Sequence, residues 1–144
     1  MIREIYTRGI YAELWEKIRI LYFETDSSFL KYMEPFLLRS RNWKALIEHE
    51  MEHAKKAREL GYKVTYSLIV GKSRDWGWDV ILDASVAPIG EIFLEDLIKI
   101  NSAPRITSYV DRKNINLCKE KMEEGKRKGF GEIKGGIWKF EYLD

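Results

Sequence analysis

Apolar residues along this chain recur at two different periods, and the changes between them predict a mixed fold. From Ile10 to Phe23, Tyr11, Leu14, Trp15, Ile18 and Tyr22 return at intervals of three and four with Glu13, Glu16, Lys17 and Arg19 between them, which predicts an amphipathic helix. A polar break, Glu24-Thr25-Asp26-Ser27-Ser28, follows; the next apolar stretch is interrupted by Pro35, and a short edge strand is expected over Phe36 to Arg39. Asn42 and Gly61 suit the two ends of a helix from about Trp43 to Leu60. From Tyr62 to Val70 the period drops to two, Gly71 to Asp75 turns the chain, and Trp78 to Asp83 reads as an antiparallel neighbour.

Beyond the turn, Pro88 suits the first turn of a helix reaching about Ile100, with Phe93, Leu97 and Ile100 on one side and Glu91 and Glu95 on the other. A polar stretch after Pro104 leads into a helix expected from about Asn114 to Lys128, ending at Gly129. Gly135-Gly136 then separates two strand-like runs, and the tail from Gly131 to Leu143 reads as a hairpin. These elements predict an α+β fold: a small antiparallel sheet packed against one central helix, with additional helices. No repeat, linker or domain boundary interrupts residues 1–144, so a single domain is expected.

Composition narrows the function classes. At 45% hydrophobic and 33% charged residues the chain is globular rather than disordered, and its Lys, Glu and Ile content suits a thermophile. A net charge of +2 argues against a nucleic-acid partner. Apolar runs such as Ile20-Leu21-Tyr22-Phe23 are far too short to span a bilayer, and the N-terminus lacks a signal-type apolar region. With one cysteine, Cys118, there is no disulfide framework, and a cytoplasmic location is expected.

The chemistry concentrates in Leu46-Ile47-Glu48-His49-Glu50-Met51-Glu52-His53-Ala54, which uses the only two histidines of the sequence. Four residues apart on a helix, His49 and His53 sit one turn apart on one side, where two imidazoles can share one metal ion. At about 100° per residue, Trp43, Leu46, Ile47, Ala54 and Ala57 gather on one face and Lys44, Glu48, Glu52, Lys55 and Glu59 on the other. Glu50 falls within the apolar face and the histidines at its margin. A carboxylate placed there needs a partner or a function.

This HExxH segment resembles the active-site helix of the zincin metallopeptidases, and the whole is most similar to a small gluzincin. The resemblance implies Zn²⁺ held by His49 and His53, Glu50 as general base, and a peptide or protein substrate. Glu52 departs from the family's usual uncharged residue, but the helical layout turns it toward solvent, where Lys56 can pair with it. A third ligand must be a carboxylate, since no histidine remains. Glu59 projects about 100° away if the helix continues. Glu91 with Glu95 one turn later is similar to the gluzincin pattern of a ligand glutamate and a supporting acid. Tyr62, Tyr66, Tyr109 and Arg105 are all available as oxyanion donors, and no spacing chooses among them.

Two other readings stand beside this one. Glu50-x-x-His53 is similar to the helix motif of ferritin-like di-iron proteins, which need a second copy that this chain lacks, and a bundle its strands oppose. A non-catalytic metal-binding or protein-interaction module is the other; Lys126-Arg127-Lys128 could meet an acidic partner, although cations closing a helix explain that run more simply. Cys118, near Ile115 and Met122 on a helical face, reads as a small buried residue.

Overall fold

A computed structural model describes residues 2–5, 15–37, 41–75, 77, 79–134 and 137–143, with side chains described from residue 18 onward except that of residue 137. The described elements are β1 (Ile2–Ile5), β2 (Trp15–Phe23), α1 (Asp26–Leu37), α2 (Arg41–Glu59), β3 (Lys63–Ser73), β4 (Asp79–Phe93), α3 (Leu94–Ser102), α4 (Tyr109–Glu123), β5 (Lys128–Lys134) and β6 (Ile137–Leu143). The fold is α+β, with antiparallel strand pairing, as the two periods predict. None of the described helices is long and apolar enough to cross a membrane.

The chain divides into two compact units, residues 1–46 with 65–85 and residues 47–64 with 86–144. The divisions fall inside α2, β3 and β4, so no linker composition marks them in the sequence.

In the first unit β1 pairs with β2 and β2 with β3, in registers such as Ile5↔Ile18 and Phe23↔Tyr66. The predicted helix over Ile10 to Phe23 is corrected here: residues 15–23 are strand, and residues 10–14 lie outside the described ones. Ile18, Ile20 and Tyr22 alternate with Arg19 at period two as well as fitting a helical spacing. Their β-branched and aromatic character, with partners on both sides, decides for the sheet.

The predicted edge strand at Phe36 to Arg39 is likewise corrected. Residues up to Leu37 belong to α1, and residues 38–39 lie outside the described ones. Thr25 starts this helix, its Oγ1 accepting from Ser28 N–H at 3.2 Å and its carbonyl from Phe29 N–H at 3.2 Å. Phe29 and Met33, one turn apart, are fully buried, and Phe29 stacks on Tyr66 with ring centroids 4.6 Å apart. That packing outweighs the missing amide of Pro35 near the helix end.

In the second unit, α2 ends as expected at Gly61, where a φ of 92° and bonds from Gly61 N–H to Arg58 O and Tyr62 N–H to Ala57 O close the last turn. The helix expected from Pro88 starts six residues later. Residues 86–93 continue β4 and pair with β5 (Gly90↔Gly131, Phe93↔Lys128). Gly90 has a φ of 99°, which no helix accommodates, and Pro88 contributes its carbonyl, accepting from Trp138 Nε1 at 2.9 Å. Tyr62 fixes the true start of α3, its hydroxyl accepting from Phe93 N–H at 3.3 Å and donating to Asp96.

The last helix also shifts from its expected place. It begins at Tyr109 under a reciprocal cap between Ser108 and Asp111, and Gly125, with a φ of 92°, ends it before Lys126-Arg127-Lys128. Those cations therefore lie past the helix, with Lys128 opening β5. The expected tail hairpin is present as β5 and β6, in a register from Lys128↔Leu143 to Lys134↔Ile137; Gly135 and Gly136 lie outside the described residues. Gly129 and Gly131 are required by β6: a Cβ at Gly129 would come within 2.2 Å of the Phe140 ring, and one at Gly131 within 2.9 Å of the Trp138 indole. The two glycines let that aromatic row lie close over the hairpin.

Candidate metal centre

Burial along α2 follows the helical layout. Ile47, Ala54 and Ala57 are buried, while Lys44, Glu48, Glu52, Lys55 and Glu59 are exposed. Glu52 faces solvent as expected, and Lys56 Nζ lies 3.8 Å from Glu59. His49 and Glu50 are half-buried and His53 is buried, 6% exposed. The ligand atoms of these three lie within 4.8 Å of one another.

The imidazoles stand edge to face at 82°, with their Nε2 atoms 3.2 Å apart. Nδ1 of His53 lies 2.7 Å from the carbonyl of Ile100 in α3, so it donates there and leaves Nε2 to face His49. Two ring nitrogens at this distance need a proton or a cation between them.

The third group is Asp111 of α4, also 6% exposed. Its Oδ2 is 2.9 Å from His49 Nε2 and its Oδ1 is 3.1 Å from His53 Nε2. The cap holds the carboxylate in place: Ser108 N–H donates to Oδ2 at 3.0 Å while Asp111 N–H donates to Ser108 Oγ at 3.1 Å. A tetrahedral zinc with donors at 2.0–2.1 Å separates neighbouring donors by about 3.3 Å. The two imidazole nitrogens, 3.2 Å apart, match that spacing, and the Asp111 carboxylate faces both, with Oδ2 2.9 Å from His49 and Oδ1 3.1 Å from His53. The donor chemistry fits as well, with two imidazole nitrogens and one carboxylate, and with both His53 and Asp111 oriented by backbone groups. Glu50 stands beside this set, its Oε2 accepting from Val86 N–H at 3.1 Å.

The third ligand expected from the sequence was Glu91, and the structure places it elsewhere. Glu91 lies on β4 opposite Phe130, exposed, with Lys128 Nζ 2.7 Å away. Its assignment rested on a helix that begins only after it. Glu95 is exposed in the first turn of α3, and Glu59 is exposed on α2. Of the four oxyanion candidates, Tyr62 donates to Asp96 and Tyr66 to Asp26, while Tyr109 and Arg105 are exposed.

Asp111 was missed, although its signal is in the sequence. Ser108-x-x-Asp111 is a helix-start pattern, and reading it would have moved the start of α4 forward and put an acid in its first turn. That the acid faces HExxH depends on long-range packing, which no local pattern carries. Comparison of the chain with protein-family models, curated proteins and solved structures gave no match.

Proposed function

We propose that the chain is a zinc-dependent hydrolase acting on peptide bonds, with His49, His53 and Asp111 holding the metal and Glu50 carrying the proton. The observation that supports this most is the convergence of two imidazole nitrogens and a buried carboxylate within 3.2 Å, beside a glutamate that is tethered to β4. When bound, zinc supplies Lewis acidity, polarising a carbonyl and bringing the acidity of a water near neutrality. Glu50 accepts the proton released as water attacks the amide carbon and delivers it to the departing nitrogen. The Val86 amide limits the swing of its carboxylate. Ile100 O and Ser108 N–H hold His53 and Asp111 in the orientation that presents their donors. Cys118, the one thiol of the chain, suits a reducing compartment, and we place the activity in the cytoplasm.

The test is zinc content together with hydrolysis of an unstructured protein such as casein, for wild type, Asp111→Asn and Glu50→Gln. Zinc-dependent cleavage that disappears in both variants supports the reading; a zinc-loaded wild type with no cleavage of any peptide overturns the hydrolytic part. Asp111's place in the cap of α4 favours one second reading, a metal that only ties α2 to α4. In that case zinc raises the melting temperature and Glu50→Gln changes nothing.

A further inference from the structure

Beside the candidate centre, the second unit holds a cavity of about 150 Å³. Its walls come from the two helices that position His53 and Asp111, together with β6. From α3 come Leu97 and Asn101, the latter next to the Ile100 carbonyl that orients His53. From α4 come Asn114 and Cys118, one and two turns beyond Asp111 on the same side of the helix. At 1.5 Å rise per residue, Asn114 lies about 4.5 Å along the axis from Asp111, between the advances of one and two residues along an extended peptide.

The third wall is aromatic. Trp138 stacks on Phe140 with centroids 5.5 Å apart, and Phe140 meets Tyr142 edge-on at 5.2 Å. Gly129 and Gly131 admit this row, and Phe140 and Tyr142 also pack on the core of Ile92, Leu94, Leu97 and Cys118, so the wall is built into the fold. None of the lining residues is charged. The two amides are turned to each other and to backbone, with Asn101 Nδ2 donating to Leu97 O at 2.8 Å and Asn114 Nδ2 to Asn101 Oδ1 at 3.4 Å. A charged guest would lose its hydration there without gaining a counter-charge. A cavity of this order holds one benzene-sized group.

We infer that this cavity is a specificity pocket for an uncharged aromatic or branched aliphatic side chain, presented by a peptide lying across the candidate centre. The choice of a peptide as guest rests on the hydrolytic reading; the cavity and its preference for an uncharged ring do not.

The experiment has two arms. N-acetyl-phenylalanine amide, with the lysine and aspartate analogues as controls, is titrated into the full chain while NMR follows the side-chain amides of Asn101 and Asn114. Leu117→Trp places a ring at the partly exposed lip, where it can fill the pocket without entering the core. The inference expects saturable shifts with the phenylalanine probe alone, abolished in Leu117→Trp at an unchanged melting temperature. In the second arm, peptides differing at one residue are compared on the zinc-loaded protein, with kcat/KM expected to favour phenylalanine over lysine by about tenfold or more. The preference collapses in Leu117→Trp. Probe binding without hydrolysis keeps the pocket and fails the hydrolytic reading. Hydrolysis with neither probe binding nor side-chain preference overturns the pocket and leaves the hydrolytic reading standing.

Discussion

Nε2 of His53 lies 3.1 Å from Oδ1 of Asp111, joining two helices that β3, β4 and α3 separate in sequence. Both groups are buried, and the same carboxylate also caps α4. The two roles separate by mutation. Ser108→Ala removes one cap acceptor and should cost about 1 kcal/mol. Asp111→Ala removes the acid facing both imidazoles and should cost about 3 kcal/mol in urea unfolding. Equal costs would make Asp111 a cap and nothing more.

Glu50 is held by the Val86 amide, and its proposed task is proton transfer rather than metal binding. Glu50→Gln keeps the size of the side chain and removes its basicity. Zinc content should stay the same while hydrolysis falls by about 100-fold or more. Loss of zinc in this variant would make Glu50 a ligand instead.

Glu91 makes an exposed pair with Lys128 across β4 and β5. Exposed pairs contribute little, so Glu91→Ala should change stability by no more than about 0.5 kcal/mol. It should leave zinc binding unaltered, measured by competition with a chromogenic chelator. A tenfold weaker affinity would return Glu91 to the site.

Burial pushes the Cys118 thiol up from 9.0 to about 11. Below pH 9 both folded and unfolded chains keep the proton, and the contribution of the buried thiol is fully present. Between pH 9 and 11 the unfolded chain loses its proton first, so stability falls as pH rises. Tyr62, raised to about 12 mainly by burial, acts only above pH 10. Urea midpoints between pH 8 and 10 should therefore decline more steeply for wild type than for Cys118→Ala. Parallel slopes would show that the thiol is not shielded in this way.

The α+β class, helix α2 with its Gly61 end, and the terminal hairpin were legible because each depends on a local period or a glycine that the chain cannot avoid. The strand β2 was not, because Ile18 and Tyr22 satisfy both a period of two and a period near four, and pairing with β1 and β3 decides between them. Pro88 misled for a related reason: proline suits a helix start, but at this position its carbonyl is what the fold uses. Three of the four residues of the candidate centre, His49, Glu50 and His53, were readable as HExxH. Asp111 was not, since the contact from α4 to α2 is made by tertiary packing.

The most direct test of the account is the number of zinc ions held per chain, measured by elemental analysis after zinc loading and desalting. Asp111→Asn retains an oxygen for the Ser108 amide but loses the charge facing His49 and His53. Wild type and Glu91→Ala should each hold about one zinc per chain, whereas His49→Ala and Asp111→Asn should hold little or none. A wild type that retains no zinc, or an Asp111→Asn protein that binds it as well as wild type, would contradict the account.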